Sequence, residues 1–476
     1  MEHWVGQGTL SREQLLAAAG LHVEFIRGEG DWLWMDDGHG GQTQVLDLVG
    51  GFGSSLLGHH HPEIRNVLQS CLDANRPVHA QGSQRRLAGE LAAALGSYLE
   101  QHTGHHYHVS LLNTGTEAVE AALKHAVLAY AKRLQRIADG LSANVRAVQT
   151  RIERGEERID ADFLLACEPL LGQEPLANLD QLLVALAIHN QRVLSQAPFV
   201  AAFENAFHGK TLGALAVTWN REARLPFLRN NAQVVFIGDP EAFQATLQQR
   251  QDTWYEFAFE PLRLQPRSLL PMAALIYEPL RGEGGMLDLD AAGSDMLRSF
   301  KQRHPEVPVI ADEVQCGLGR TGRAVESQAL GLPNDYLTFA KALGGGVSKL
   351  SALAVREDLY LPEFGMLHTS TFADDDLSSA VGKRTLEILQ RDRVAERCAA
   401  VGEALLTGLQ ALQRRYPAVL KAVRGRGCML GIELQDFSDH PSAVLAALAE
   451  EKLLGMVCAG HLLHRHQVRM LPSMGR

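Results

Sequence analysis

Short apolar runs recur through the middle of the chain, each closed by a turn or a helix-start signal. They are Val109-Ser110-Leu111-Leu112, Phe199-Val200-Ala201-Ala202-Phe203, Val234-Val235-Phe236-Ile237, Ala273-Ala274-Leu275-Ile276-Tyr277 and Val307-Pro308-Val309-Ile310-Ala311. Such runs suit strands buried on both faces of a parallel sheet that helices cover. Between the first two, Glu117 to Lys132 carries strong helical spacing. Residues 133–198 then break the rhythm. They are rich in Arg, Gln, Glu, Ala and Leu, with one turn near Gly172-Gln173-Glu174-Pro175. The spacing predicts two or three helices inserted into the α/β core, as a surface cap or oligomer contact, or as a face toward substrate or partner.

The flanks differ in character. A short helix is expected over Arg12 to Ala19, a strand over Trp32 to Met35 entering a turn at Asp36-Asp37-Gly38, and a strand over Val45 to Val49. That strand runs into the glycine-rich Gly50-Gly51-Phe52-Gly53, and Pro62-Glu63 opens a helix. After residue 350, one long helix is expected over 378–413, a turn and strand from Arg424 to Leu434, and a helix over 442–454. The pattern is an α/β fold. Its large domain has a mostly parallel sheet with helices on both faces. Residues 1–75 and 376–476 form a smaller α+β domain around the large domain at 76–375.

Composition narrows the class of function. Of 476 residues, 46% are hydrophobic and 21% charged, which is globular rather than disordered. Lys and Arg number 45 against 55 Asp and Glu, a net charge of −10. That balance carries no footprint for nucleic acid and disfavours anionic membranes. No apolar run is long enough to span a bilayer, and Met1-Glu2-His3-Trp4 lacks the start of a signal peptide. The six cysteines form no CxxC pair, as expected of reduced thiols in a cytoplasmic protein.

Three stretches could carry chemistry. Asn113-Thr114-Gly115-Thr116-Glu117-Ala118 follows a strand and opens a helix, either as an anion site or as a plain cap by Thr114 or Thr116. Val309-Ile310-Ala311-Asp312-Glu313 ends a buried strand in carboxylates, so Asp312 needs a cationic partner unless it caps a helix. Lys341 follows the apolar Leu337-Thr338-Phe339-Ala340 and precedes Gly344-Gly345-Gly346. A desolvated lysine loses its proton more readily and becomes an imine-forming amine, although a structural lysine also fits. Together, a phosphate cradle, a buried Asp and a lysine are what pyridoxal phosphate requires.

With these residues in view, the chain resembles the class III pyridoxal-phosphate aminotransferases of fold type I. The resemblance runs from about residue 20 to the end, apart from the 133–198 insertion. It rests on Leu57 to Pro62, Asn113 to Ala118, Phe207-His208-Gly209-Lys210-Thr211, Glu278-Pro279-Leu280-Arg281-Gly282-Glu283-Gly284-Gly285, Asp312-Glu313-Val314-Gln315 with Gly319-Arg320-Thr321-Gly322, Lys341, and His368-Thr369-Ser370-Thr371-Phe372. Within the putrescine/ornithine branch, the Phe207-His208-Gly209-Lys210-Thr211 stretch and the triple glycine look more like the putrescine (diamine) members.

The resemblance implies a role for each position. Lys341 would hold the cofactor and shuttle a proton, and Asp312 would pair with the pyridine nitrogen. Phe207 and Val314 would cover the two ring faces, with His208 beside them. Gln315 would bond the phenolic oxygen, and Gly115 and Thr116 the phosphate. Thr371 would reach the phosphate of a neighbouring subunit, which makes a homodimer the minimal active unit. Glu283, Arg469 and Lys210 would meet substrate, with Glu283 masking Arg469 until a dicarboxylate arrives. The implied reaction moves an amino group from a terminal amine, or an amino acid such as glutamate, to an aldehyde or ketone, by ping-pong through pyridoxamine phosphate. An aminomutase or racemase of the same family is the alternative, and an inactive scaffold is the rival of another class.

Three departures stand out. Lys210 replaces an arginine that would grip an α-carboxylate, and lysine cannot form the bidentate fork. Asp374-Asp375-Asp376 replaces a neutral loop, and Met474-Gly475-Arg476 follows the Arg469 motif directly. The last suggests a clipped small domain or a segment of a longer protein. His59-His60-His61 lies in a matched glycine-rich loop, so no metal is expected.

Overall fold

The computed structural model describes residues 11–472, apart from 37, 39, 81, 173–174 and 229–232. The expectations for Met1 to Trp4, Asp37, Gln173-Glu174 and Met474 to Arg476 lie outside the described residues.

Seven strands form the central sheet: β1 (Tyr107–Leu112), β2 (Phe199–Phe203), β3 (Val234–Ile237), β4 (Met272–Tyr277), β5 (Val309–Asp312), β6 (Tyr336–Phe339) and β7 (Ser351–Arg356). Their spatial order is β1-β7-β6-β5-β4-β2-β3. Strand β7 runs antiparallel to β1 and β6, and the other neighbouring pairs are parallel. β4, β5 and β6 are buried at every position, as unbroken apolar runs require. The helix Arg86–Thr103 lays Leu91, Leu95 and Leu99 against this sheet with no exposed surface. Burial of each such side chain contributes about 1.5–3 kcal/mol.

Helix α1 (Gly115–Glu153) covers the other face through Ala118, Val119, Ala121, Ala122 and Ala126, whose small side chains allow close packing on the sheet. It runs 39 residues, well past the expected end at Lys132. The start of the insertion is therefore a continuation of a core helix. The rest is α2 (Ala161–Leu171) and α3 (Leu179–Leu194), each capped by an aspartate or asparagine side chain. A hairpin of Asp252–Ala258 and Arg263–Leu269 completes this unit, and the sequence pattern did not point to it. Val148, Leu164, Cys167, Leu182 and Leu186 share a core there with Phe257 and Leu264.

Three expectations need correction nearer the end of the chain. The single helix expected over 378–413 is two, α4 (Asp376–Arg391) and α5 (Val394–Arg415), because Arg393 takes a left-handed φ of 46° that no helix can carry. The expected turn and strand from Arg424 is a hairpin of Leu420–Arg426 and Met429–Leu434. The helix expected over 442–454 ends at Glu450, and a further helix spans Leu454–His466. The smaller sheet joins Phe25–Glu29, Trp32–Asp36 and Gln42–Asp47 to Val468–Arg469, so both flanks of the chain share it.

Candidate active site

Chain direction in the sheet gathers the chemistry. The carboxyl ends of the parallel strands β2, β4, β5 and β6 lie along one edge of the sheet, where open α/β sheets bind ligands. Asp312 ends β5, Glu278 follows β4, Phe207 follows β2, and Lys341 follows β6. Strand β1 delivers Asn113 to the start of α1.

Asp312 is buried and hydrogen-bonded through both oxygens. Its Oδ2 lies 2.7 Å from His208 Nδ1, and its Oδ1 accepts from Thr338 Oγ1 at 3.0 Å and from the Val314 amide at 3.1 Å. The partner that Asp312 finds is therefore His208. Its other ring nitrogen, Nε2, is buried with no hydrogen-bond partner among the described residues.

Glu278 is a functional candidate to which the sequence pattern assigned no role. Its Oε1 accepts from the Phe207 amide at 2.7 Å and its Oε2 from the Gly282 amide at 3.3 Å. One buried carboxyl thus fixes the loop that carries Phe207 and the loop that carries Glu283. Burial pushes it up to about 7, with Asp312 adding to the rise and His208 opposing it. The signal was present as an acid directly after the apolar run ending at Tyr277.

Lys341 sits in a short 3₁₀ turn with φ 43°, a strained conformation for a side chain of its size. Burial draws its amine below the usual lysine range, and Asp312, Glu278 and Glu283 partly oppose that. Gly53 takes φ 91°, a conformation that favours glycine, and lies in packing distance of Gln315 Cγ and Lys341 Cδ. Gln315 also fills the space that a Cβ on Gly282 would need.

The start of α1 is built for an anion. Thr114 caps it, and Glu117 reaches back to the amides of Asn113 and Thr114 at 2.9 Å. That capping box leaves the Gly115 and Thr116 amides at the positive end of a long helix dipole. The cap and the anion site, alternatives in the sequence, coexist. Thr116 Oγ1 lies 2.9 Å from Thr211 Oγ1, whose loop is bound to Glu120 of α1 through Gly213 and Ala214. Val314 packs so closely on Gly115 that a Cβ there would stand 2.8 Å from Val314 Cγ1.

Of the remaining expected residues, Glu283 lies close enough to Lys341 to oppose the lowering of its amine. Arg469 is not held by Glu283. Its Nη1 donates to Asp47 Oδ1 at 3.1 Å, because the pairing of Val468–Arg469 with Gln42–Asp47 sets those two residues side by side. Lys210 and Glu283 are exposed, as is Thr371. The acidic triplet has a structural account: Asp375 caps α4 through the Ser378 amide at 2.7 Å, and Arg85 binds the Asp374 carbonyl at 2.5 Å. His59 of the triple histidine binds Asp47 Oδ2 at 2.8 Å.

The residues present fit pyridoxal phosphate. The Gly115 and Thr116 amides in the first turn of α1, the side-chain-free surface at Gly115 beside Val314, and His208 Nε2, unpartnered among the described residues, suit such a ligand. The comparisons agree. The sequence profile of the family Aminotransferase class-III matches residues 17–474. A putrescine aminotransferase of Pectobacterium atrosepticum is 30% identical over 91% of this chain and 75% of its own. The crystal structure of ornithine aminotransferase from Toxoplasma gondii superposes with TM-score 0.64 at 20% identity, covering 99% of this chain and 86% of its own. A PLP-bound amine transaminase from an uncultivated Pseudomonas species gives 0.65 at 21%, covering 99% and 92%. The chain belongs to the class III aminotransferases and is a pyridoxal-phosphate-dependent transaminase.

Proposed function

We propose that this transaminase takes a terminal amine such as putrescine as one substrate and an aldehyde or ketone as the other. The observation that carries the reading is the state of the two cations offered for carboxylate recognition. Position 210 is an exposed lysine without a bidentate fork, and Arg469 is engaged by Asp47.

Pyridoxal phosphate supplies the electron sink for the carbon that bears the amino group. In this reading Asp312, steadied by His208, Thr338 and the Val314 amide, holds the proton on the pyridine nitrogen. Lys341, whose amine burial makes easier to deprotonate, would form the covalent hold and then move a proton at Nζ. Gly115 and Thr116 would bind the phosphate, Val314 and Phe207 would cover the ring, and Gln315 would meet the phenolic oxygen. Glu283, an exposed carboxylate, would suit a cationic amine.

The same reading includes a homodimer in the cytoplasm, with Thr371 serving the partner's phosphate. Its support is the exposed apolar side chains beside Thr371: Phe372 is 61% exposed, Met366 87% and Leu367 61%. Residues 1–75 and 376–476 are read as the small domain and 76–375 as the large one.

The test is the near-visible absorption band of the purified protein, with putrescine and separately with L-glutamate. Bleaching by putrescine supports the terminal-amine reading. Bleaching by glutamate alone would overturn it and make an α-amino acid the donor.

A further inference from the structure

A buried guanidinium without a carboxylate lies between Lys341 and a pair of thiols. Arg320 Nη2 donates to the Gly53 carbonyl at 2.9 Å, and Gly53 packs beside Lys341 and Gln315. Among the described residues Arg320 forms no ion pair, and its Nε is buried without a partner. A buried cation of this kind is costly unless some negative charge answers it.

The groups whose charge would answer it are the thiols of Cys398 and Cys428. The Arg320 carbonyl accepts from the Cys428 amide at 2.8 Å. Cys428 sits in the turn between Leu420–Arg426 and Met429–Leu434, and that turn is pressed against α5. At Gly402 of α5 a Cβ would stand 2.1 Å from the Gly427 carbonyl, so only glycine admits this approach. Cys398 lies one helical turn before Gly402 on the same face. Cys428 Sγ donates to the Cys398 carbonyl at 3.8 Å, which brings the two cysteines side by side. Cys398 is buried, while Cys428 is partly exposed.

We propose that Cys398 and Cys428 are a redox-active dithiol that closes to an intramolecular disulfide and, through Arg320, changes the proton affinity at Lys341. The oxidant is a small-molecule disulfide such as oxidised glutathione. Cys428 attacks first, because it is the accessible sulfur and because the Cys398 thiol and Arg320 pull it down to about 7. One glutathione leaves as thiolate. Cys398 then gives up its proton to water, attacks the Cys428 sulfur and expels the second glutathione. Two protein S–H bonds and one external S–S bond become one protein S–S bond and two external thiols. Closure removes the thiolate from beside Arg320. The unanswered guanidinium then acts more strongly on Lys341, whose amine it already draws down.

The first readout is independent of catalysis. The holoenzyme is incubated with dithiothreitol or oxidised glutathione, denatured under blocking conditions, and mapped by mass spectrometry. Six blocked thiols are expected after reduction, and two fewer after oxidation, with a peptide linking 398 to 428. Cys428→Ser and Cys398→Ser should each abolish that link, so one misfolded variant does not decide the matter. An unlinked glutathione adduct at Cys428, or no thiol loss at either position, would overturn the dithiol.

The second readout rests on the cofactor role given above to Lys341. The pH midpoint of the near-visible band should move to lower pH on oxidation and return with dithiothreitol. An unmoved midpoint in the linked protein would overturn the coupling through Arg320. Absence of any band would instead count against the role of Lys341, and leave the thiol result standing.

Discussion

Arg469 and Asp47 face one another across neighbouring parallel strands, Nη1 to Oδ1 at 3.1 Å, and this bond joins the two flanks of the chain. Asp47 also takes His59 Nε2 at 2.8 Å and the Val49 amide at 3.0 Å, and its carboxylate side chain is 1% exposed. Arg469 therefore answers a buried charge at the foot of the glycine-rich loop. Removing one member of such a pair leaves the other uncompensated. Arg469→Ala should cost about 2–3 kcal/mol of stability, less than for a fully buried pair because the arginine is partly exposed. It should weaken amine and keto-diacid use to the same degree. Chemical denaturation and paired steady-state assays check both. A selective loss of the diacid would return Arg469 to the substrate role that the sequence suggested.

Arg469 also marks the boundary of what a linear sequence can disclose. Strand ends carry their chemistry in plain order, so Asp312, Lys341 and Gly115 could be read from apolar runs and the residues just beyond them. Strands such as Phe199–Phe203 and Val234–Ile237 appear where their patterns end. Pairings across distant sequence were not legible. Nothing local says that Arg469 meets Asp47, or that Cys398 meets Cys428, because tertiary packing sets those contacts. Helix breaks without glycine or proline, as at Arg393, were missed for the same reason. Glu278 has no local mark in the sequence that sets its role apart from that of Glu283, five residues on in the same stretch.

Asp312→Asn isolates charge from shape. The amide keeps the volume, but one oxygen now serves where two accepted from His208, Thr338 and Val314. Loss of a preorganised charge at a reacting group typically costs about 10²–10³ in kcat. A stability loss on the order of 1–3 kcal/mol should accompany it, from the donor left unanswered. Stopped-flow kinetics and thermal unfolding separate the two. A rate loss under about tenfold would show that the carboxylate is structural here.

Glu278 makes stability depend on pH. Its folded-state value lies at about 7, above the ordinary 4.5, with burial as the main cause. The folded protein therefore binds its proton more tightly than the unfolded chain does. The resulting stabilisation is full below pH 4.5 and is lost as pH rises through 7. Its size is on the order of 3 kcal/mol for a fully buried group. Glu278→Gln mimics the protonated form at all pH values. Relative to the unsubstituted protein, the variant should gain stability between pH 5 and 8, on top of a constant offset from the altered bond to Gly282. Urea unfolding across that range measures the difference. A flat difference would mean that Glu278 carries the same charge in both states.

The insertion has its own stabilising device, and it can be tested without touching the active site. Asn190 of α3 donates Nδ2 to the Tyr255 carbonyl at 2.7 Å and accepts the Tyr255 amide at 2.9 Å. Asn144 of α1 does the same with Phe257, at 2.8 Å in both directions. Each side-chain amide thus stands in for a neighbouring strand on the free edge of the hairpin Asp252–Ala258 and Arg263–Leu269. Asn190 is only 5% exposed, so water cannot replace it easily. Asn190→Ala leaves one backbone donor and one acceptor unanswered, at a cost of about 1–3 kcal/mol. Because α2, α3 and the hairpin share a separate core, the loss should appear there and not at Lys341. Hydrogen exchange should speed up in the hairpin and in α3, while the near-visible band stays unchanged. If the band weakened together with hairpin protection, the insertion and the active site would unfold as one unit.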